Sequence, residues 1–165
     1  DRVGLEGGSA GGLLVGAVLN IAPERFRVLH AAVPFDDALT TMLQPDLPLT
    51  VGEWEEWGNP LADPQVYAAM RAYAPYENVR AAAYPAVLAT SSLHDTRVYV
   101  TEPAKWVARL REVVTNDPQT RPILLRTELS AGHGGRSGRY AAWEQIAWEW
   151  AFVLDQLSAT RRVSG

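Results

Sequence analysis

The chain has 165 residues, 47% apolar and 21% charged, which is the composition of an ordinary folded protein and sets aside disorder, coiled coils and collagen-like repeats. A net charge of −4 and a pI near 5.4, with Lys and Arg scattered along the chain, offer no basic stripe to nucleic acid. Cysteine is absent, which removes disulfides, thiolate metal sites and cysteine nucleophiles, and no apolar run reaches the roughly 18 residues of a membrane span.

The N-terminus lacks the basic, apolar and small-residue succession of a signal peptide. Asp1 to Glu6 reads instead as the lead-in to a buried strand without an initiator Met, so the natural protein is expected to extend upstream. Val3-Gly4-Leu5, the glycine-rich run Gly7 to Gly12 and the apolar stretch Leu13 to Ile21 parse as strand, sharp turn and buried helix. Arg27 to Val33, bounded by Pro23 and Pro34, is a second strand candidate. Prolines at 45, 48, 60, 64 and 75 then restrict the chain to short helices such as Asp37 to Leu43 and Pro64 to Tyr73. Alternation resumes with a strand over Ala86 to Ser91, an amphipathic helix over Arg97 to Val114, a strand over Pro122 to Leu129 and a long helix over Arg139 to Leu157. Trp143, Trp148, Trp150 and Phe152 on that last helix are expected to pack against the sheet. Strands alternating with helices of this length predict an α/β fold with a mostly parallel sheet.

Gly7-Gly8-Ser9-Ala10-Gly11 matches G-x-S-x-G in the strand-turn-helix context that gives the match meaning. A serine on such a turn projects its hydroxyl beyond the sheet edge, and flanking glycines let neighbouring backbone pass close by. A glycine-rich phosphate-binding turn is the competing reading, but neither G-x-G-x-x-G nor a G-K-[ST] loop is present. Asp95 follows one predicted strand and His133 the next, in the chain order serine, acid, histidine that this motif requires. His30 lies inside a strand run and His94 lacks an ordering context, whereas His133 sits in Ala131-Gly132-His133-Gly134-Gly135, with room for an imidazole to reach across the sheet edge. The expected roles are nucleophile for Ser9, general base for His133 and orienting acid for Asp95, with the backbone N–H of Ala10 as one oxyanion-hole donor. No cofactor or metal-ligand set is expected.

Further segments join the elbow. Val33-Pro34-Phe35, Pro48-Leu49-Thr50, Glu53-Trp54-Glu55-Glu56-Trp57-Gly58-Asn59-Pro60, Tyr73-Ala74-Pro75-Tyr76-Glu77-Asn78-Val79, Asp95-Thr96-Arg97-Val98 and Gly132-His133-Gly134-Gly135 together resemble the prolyl oligopeptidase family, most of all its oligopeptidase B branch. Asp36 stands where that resemblance calls for Val, and Ala74 where it calls for Ser. The resemblance implies that residues 1–160 form the C-terminal part of an α/β-hydrolase catalytic domain, with the upstream strands and a β-propeller outside this chain. It further implies a cytoplasmic serine peptidase acting on short peptides after Arg or Lys, with no nucleic-acid or membrane partner. By position in the motif, Glu53 and Glu55 would read the basic side chain and Arg97 would hold a substrate carbonyl. On spacing alone, Glu53, Glu55 and Glu56 read as a solvated acidic face. An esterase or lipase of the same fold, or a catalytically silent scaffold, are the alternatives, because G-x-S-x-G does not define the acyl substrate.

Overall fold

A computed structural model describes residues 3–158. Asp1 and Arg2, the start of the predicted lead-in, and residues 159 and 160 at the end of the predicted domain lie outside the described residues. Four strands form one parallel sheet in the order β1 (Gly4–Gly8), β2 (Val28–Ala32), β3 (Ala86–Ser92) and β4 (Ile123–Glu128). Helix α1 (Ala10–Ile21) links β1 to β2, and three short helices, α2 (Ala38–Met42), α3 (Thr50–Trp57) and α4 (Pro64–Tyr73), fill the long connection to β3. Helix α5 (Thr101–Val113) joins β3 to β4, and α6 (Arg139–Ser158) closes the described chain.

One face of the sheet carries the main core. Leu29, Ala31, Val87, Ala89 and Ile123 pack there against Val15 and Leu19 of α1 and against Trp106, Val107 and Leu110 of α5. Helix α6 lies on β2 and β3. Every residue of β3 is therefore buried, as expected of a central parallel strand covered on both faces. The α2–α4 insertion has its own core of Phe35, Leu39, Met42, Met70 and Val98. Helix α4 starts as its sequence dictates: Pro64 occupies the first turn, and the Asp63 carboxylate accepts the Gln65 N–H at 2.7 Å.

Three expectations are corrected. The first strand is half bare rather than buried, because Gly4, Glu6 and Gly8 on one side of β1 are exposed. The tryptophans of α6 are not core residues: Trp143, Trp148 and Trp150 are 57%, 42% and 46% exposed. The buried residues of that helix are Glu149 and Gln156, and the Trp148 ring faces the guanidinium of Arg126 on β4, 4.2 Å away. A further short helix of the proline-rich stretch, α3, is tied down by tertiary bonds, with the Thr50 hydroxyl donating to the Thr41 carbonyl at 3.0 Å and the Trp54 indole N–H to the Met42 carbonyl at 3.1 Å. Helix α5 also begins later than the Arg97 predicted for it.

Asp36 is a local exception to good packing. It is fully buried between β2 and α2, and neither of its carboxyl oxygens has a hydrogen-bond partner. Burial, reinforced by the negative charges of Glu102 and Asp37, raises its pKa well above the ordinary 3.8. The folded state therefore keeps a proton that the unfolded chain releases, so this group favours folding only at low pH and its contribution is lost as pH rises. Replacing it with the similarly sized, apolar Val removes the penalty. The Asp36→Val variant of the full-length protein is expected to gain about 1–3 kcal/mol at neutral pH, with a smaller gain at about pH 4, in denaturant unfolding. A loss of stability at neutral pH would contradict this account of the site.

Candidate active site

The turn between β1 and α1 holds Ser9 at φ 53° and ψ −121°, a conformation that L-residues rarely adopt and that costs on the order of 1–3 kcal/mol. Neighbouring backbone enforces it. The Ser9 N–H donates to the Ala32 carbonyl at 2.9 Å, while the Ser9 carbonyl accepts the N–H groups of Gly12 at 2.8 Å and Phe35 at 3.0 Å. A side chain at Gly7 would overlap the Gly11 carbonyl, and a Cβ at Gly12 would lie 2.5 Å from Pro34. The connection that grips the turn is itself strained, with the β-branched Val33 at φ 42° and its N–H bonded to the Thr90 carbonyl at 2.8 Å. Ala10 opens α1, where the first N–H groups have no acceptor inside the helix.

Asp95 lies just beyond β3, and its side chain is fully buried. Its Oδ1 accepts the N–H groups of Arg97 at 2.8 Å and Val98 at 3.0 Å, which folds this stretch into a turn and delays the start of α5. Its Oδ2 stands 2.7 Å from His133 Nδ1. A carboxylate only accepts, so Nδ1 carries the hydrogen of this contact. His133 follows β4 on a loop pinched by a bridge between Gly132 and Gly135, with Gly135 and Gly138 at positive φ.

Ser9 and Ala10 open into a cavity of about 110 Å³ whose walls include Phe35, Thr41, Met42, Glu53, Glu56, Trp57 and Arg97. His133 lines a second cavity, of about 220 Å³, together with Val33, Ser92 and Glu149. The structure thus joins Asp95 to His133 and gathers Ser9, Ala10, Glu53 and Arg97, but no hydrogen bond links Ser9 to His133 among the described residues. The Glu53 carboxylate accepts the Trp57 indole N–H at 3.0 Å, which fixes it on the cavity side of α3. Glu55 is exposed and does not line the cavity, whereas Glu56 does. Residues 53, 56 and 57 share a helical face, a signal readable only once α3 is known. Among the described residues, no group of three or more His, Cys, Asp or Glu is arranged to hold a metal ion, and no helix is long and apolar enough to cross a membrane.

Comparison with known proteins agrees with this architecture. The sequence pattern of the prolyl oligopeptidase family matches residues 1–160. The chain is 48% identical over 162 residues to dipeptidyl aminopeptidase BI of Pseudoxanthomonas mexicana, covering 98% of this chain and 22% of that protein. It is likewise 48% identical over 156 residues to protease 2 of Moraxella lacunata, covering 94% and 22%. The solved oligopeptidase B of Leishmania major superposes with a TM-score of 0.90 at 48% identity, over 95% of this chain and 21% of that one. The chain thus spans about a fifth of the length of these relatives, and its sheet is the C-terminal portion of an α/β-hydrolase fold.

The close approach at the elbow gives a contrast between two neighbouring glycines. Gly12→Ala forces the helix away from Pro34 and is expected to cost about 1–3 kcal/mol or more. Gly11→Ala meets open space in the same helix and is expected to be neutral or to stabilise by up to about 1 kcal/mol. Thermal unfolding of the two full-length variants checks the difference, and equal effects would show that the packing of the turn does not set the tolerance.

Proposed function

The chain belongs to the prolyl oligopeptidase family, and from that premise we propose that it carries the reacting groups of a cytoplasmic serine peptidase that cleaves short peptides after Arg or Lys. The observation that supports the reading most is the 2.7 Å contact between His133 Nδ1 and Asp95 on loops following successive strands, one sheet edge shared with the strained Ser9 turn. In the proposed mechanism Ser9 Oγ attacks the scissile carbonyl and His133 Nε2 takes its proton. Asp95 holds the Nδ1–H and stabilises the imidazolium, and the Ala10 N–H faces the developing oxyanion. His133 then returns the proton to the leaving amine, and water attacks the acyl-Ser9 by the same route in reverse.

The basic side chain before the scissile bond would enter the cavity beside Ser9, where the carboxylates of Glu53 and Glu56 stand. A planar guanidinium is best met by paired carboxylates. Arg97, on the same wall, would hold a substrate carbonyl. Glu55 would reach the substrate only from the exposed side of α3, so its part in recognition is a separate question from that of Glu53. The remaining strands, the second oxyanion donor and a β-propeller that admits only short peptides are assigned to other parts of the polypeptide. The bare face of β1 and the exposed apolar row Trp143, Ile146, Trp150 and Leu154 on α6 support that assignment, since both are surfaces suited to further packing.

In the full-length protein a fluorophosphonate is expected to label Ser9 stoichiometrically, and Ser9→Ala is expected to abolish labelling and peptide turnover together. Labelling that survives in Ser9→Ala would sink the nucleophile assignment.

Glu53→Gln is expected to lower kcat/KM on arginyl amides by about 1.5–3 kcal/mol, leaving uncharged amides nearly unaffected. Glu55→Gln, assayed on the same pair of substrates, decides whether the exposed carboxylate reads the basic residue too. Equal losses on both substrates for Glu53→Gln would mark general damage rather than recognition.

A further inference from the structure

Behind the Ser9 cavity lies a polar cluster that the proposed chemistry does not use. Glu102, in the first turn of α5, is buried, with Oε2 accepting the Asp37 N–H at 3.1 Å and Oε1 accepting the Thr41 hydroxyl at 2.6 Å. One turn further along α5, Lys105 pairs with the buried Asp37 carboxylate and stands over the Tyr76 ring, 4.7 Å from its centre. The Tyr76 N–H donates in turn to the Asp36 carbonyl at 2.9 Å. These contacts grip α2 at both ends of its five residues, which are too few to hold their position by helix propensity.

Helix α2 is the floor on which the cavity stands. Thr41 and Met42 line the cavity directly. Their carbonyls accept from Thr50 and Trp54 of α3, the helix that carries Glu53 and Glu56. A continuous line of hydrogen bonds therefore runs from α5 through α2 to the acidic wall of the cavity, whereas Ser9, Asp95 and His133 are held by the strands and their loops. We propose that Glu102, assisted by Lys105, is a positioning residue for substrate recognition: it sets α2, and through α2 the acidic face of α3, in front of Ser9 without taking part in the bond-making steps. The inference deepens the specificity reading above and rests on it. Burial raises the Glu102 pKa to about 7, so the side chain spends part of its time neutral near physiological pH, where a carboxylic acid keeps both contacts.

The test compares Glu102→Ala with Glu102→Gln in the full-length protein. Glutamine can accept the Asp37 N–H through its carbonyl and donate its amide to the Thr41 oxygen, so it preserves both contacts without the charge. Glu102→Ala is expected to raise KM for an arginyl amide by about tenfold while kcat, the uncharged-amide KM and the fluorophosphonate labelling rate stay within about twofold. Glu102→Gln is expected to restore KM to near the wild-type value. Equal losses on both substrates, or an unchanged arginyl KM, would overturn the proposal. If Glu102→Ala no longer labels with fluorophosphonate, Lys105→Met, which removes the ion pair to Asp37 at a position outside the Ser9 cavity, is judged by the same criteria. If the wild-type protein shows no preference for arginyl amides, the specificity reading has failed on its own. Amide hydrogen exchange then decides the positioning: residues of α3 should lose protection in Glu102→Ala and regain it in Glu102→Gln, and unchanged protection would overturn the inference.

Discussion

The grip of the β2–α2 connection on the Ser9 turn is the constraint from which the rest of the site follows. A serine at φ 53° is held there by two backbone bonds, one from its own N–H to Ala32 at the end of β2 and one from Phe35 in the connection to its carbonyl. Pro34 seats on Gly12, so helix α1 approaches the connection at a distance no other residue type allows. Two backbone bonds of about 1 kcal/mol each, added to the packing of α1 on the sheet, are of the size needed to hold a strain of about 1–3 kcal/mol. The same contact makes Phe35 a wall of the Ser9 cavity, so the backbone that strains the serine also shapes the space in front of it.

All three proposed reacting residues lie beyond the C-terminal ends of parallel strands, which is where open α/β sheets leave a crevice. The register explains how Asp95 and His133 come within reach of each other. The β1–β2 and β2–β3 pairings bring Gly8, Ala32 and Thr90 level, and the β3–β4 pairing sets Ser92 beside Glu128. The loops carrying Asp95 and His133 leave the sheet side by side at that last rung. Burial of Asp95 strengthens its hydrogen bond to His133, because little water competes for the carboxylate, and its two backbone donors satisfy the remaining oxygen.

The sequence revealed most where local chemistry and tertiary demand coincide. Glycines around Ser9, the Asp63-Pro64 helix start and the apolar run of β3 each specify one conformation locally, and each element appears where the residues call for it. Failures occurred where a distant partner decides. Helix α3 has a glycine in its middle and prolines before it, and its stability comes from bonds to Thr41 and Met42, which no window of sequence displays. Without α3 the distinction between Glu55 and Glu56 could not be drawn. The tryptophans of α6 were misjudged for a related reason: aromatic character told that they belong against something apolar, but not against which surface. His30 was set aside correctly as a strand residue; it is buried, with Nδ1 3.2 Å from Glu6 on the adjacent strand.

Chemistry and recognition thus share the β2–α2 connection and draw the rest of their support from different elements. Ser9 and His133 follow the outer strands β1 and β4, and Asp95 follows β3, every residue of which is buried. Glu53 and Glu56 stand on α3, one of three inserted short helices held by an apolar core around Phe35, Met42 and Met70 and by buried polar contacts at Asp37, Thr41 and Glu102. A hydrophobic core deforms little for a single substitution, whereas a small polar cluster has discrete partners that a single substitution can remove. The fold therefore allows the acidic wall to be moved or replaced while the reacting groups keep their geometry. A cavity built this way can change the side chain it accepts through residues of α2, α3 and the first turn of α5, without any change to the strands that hold the serine, the acid and the histidine.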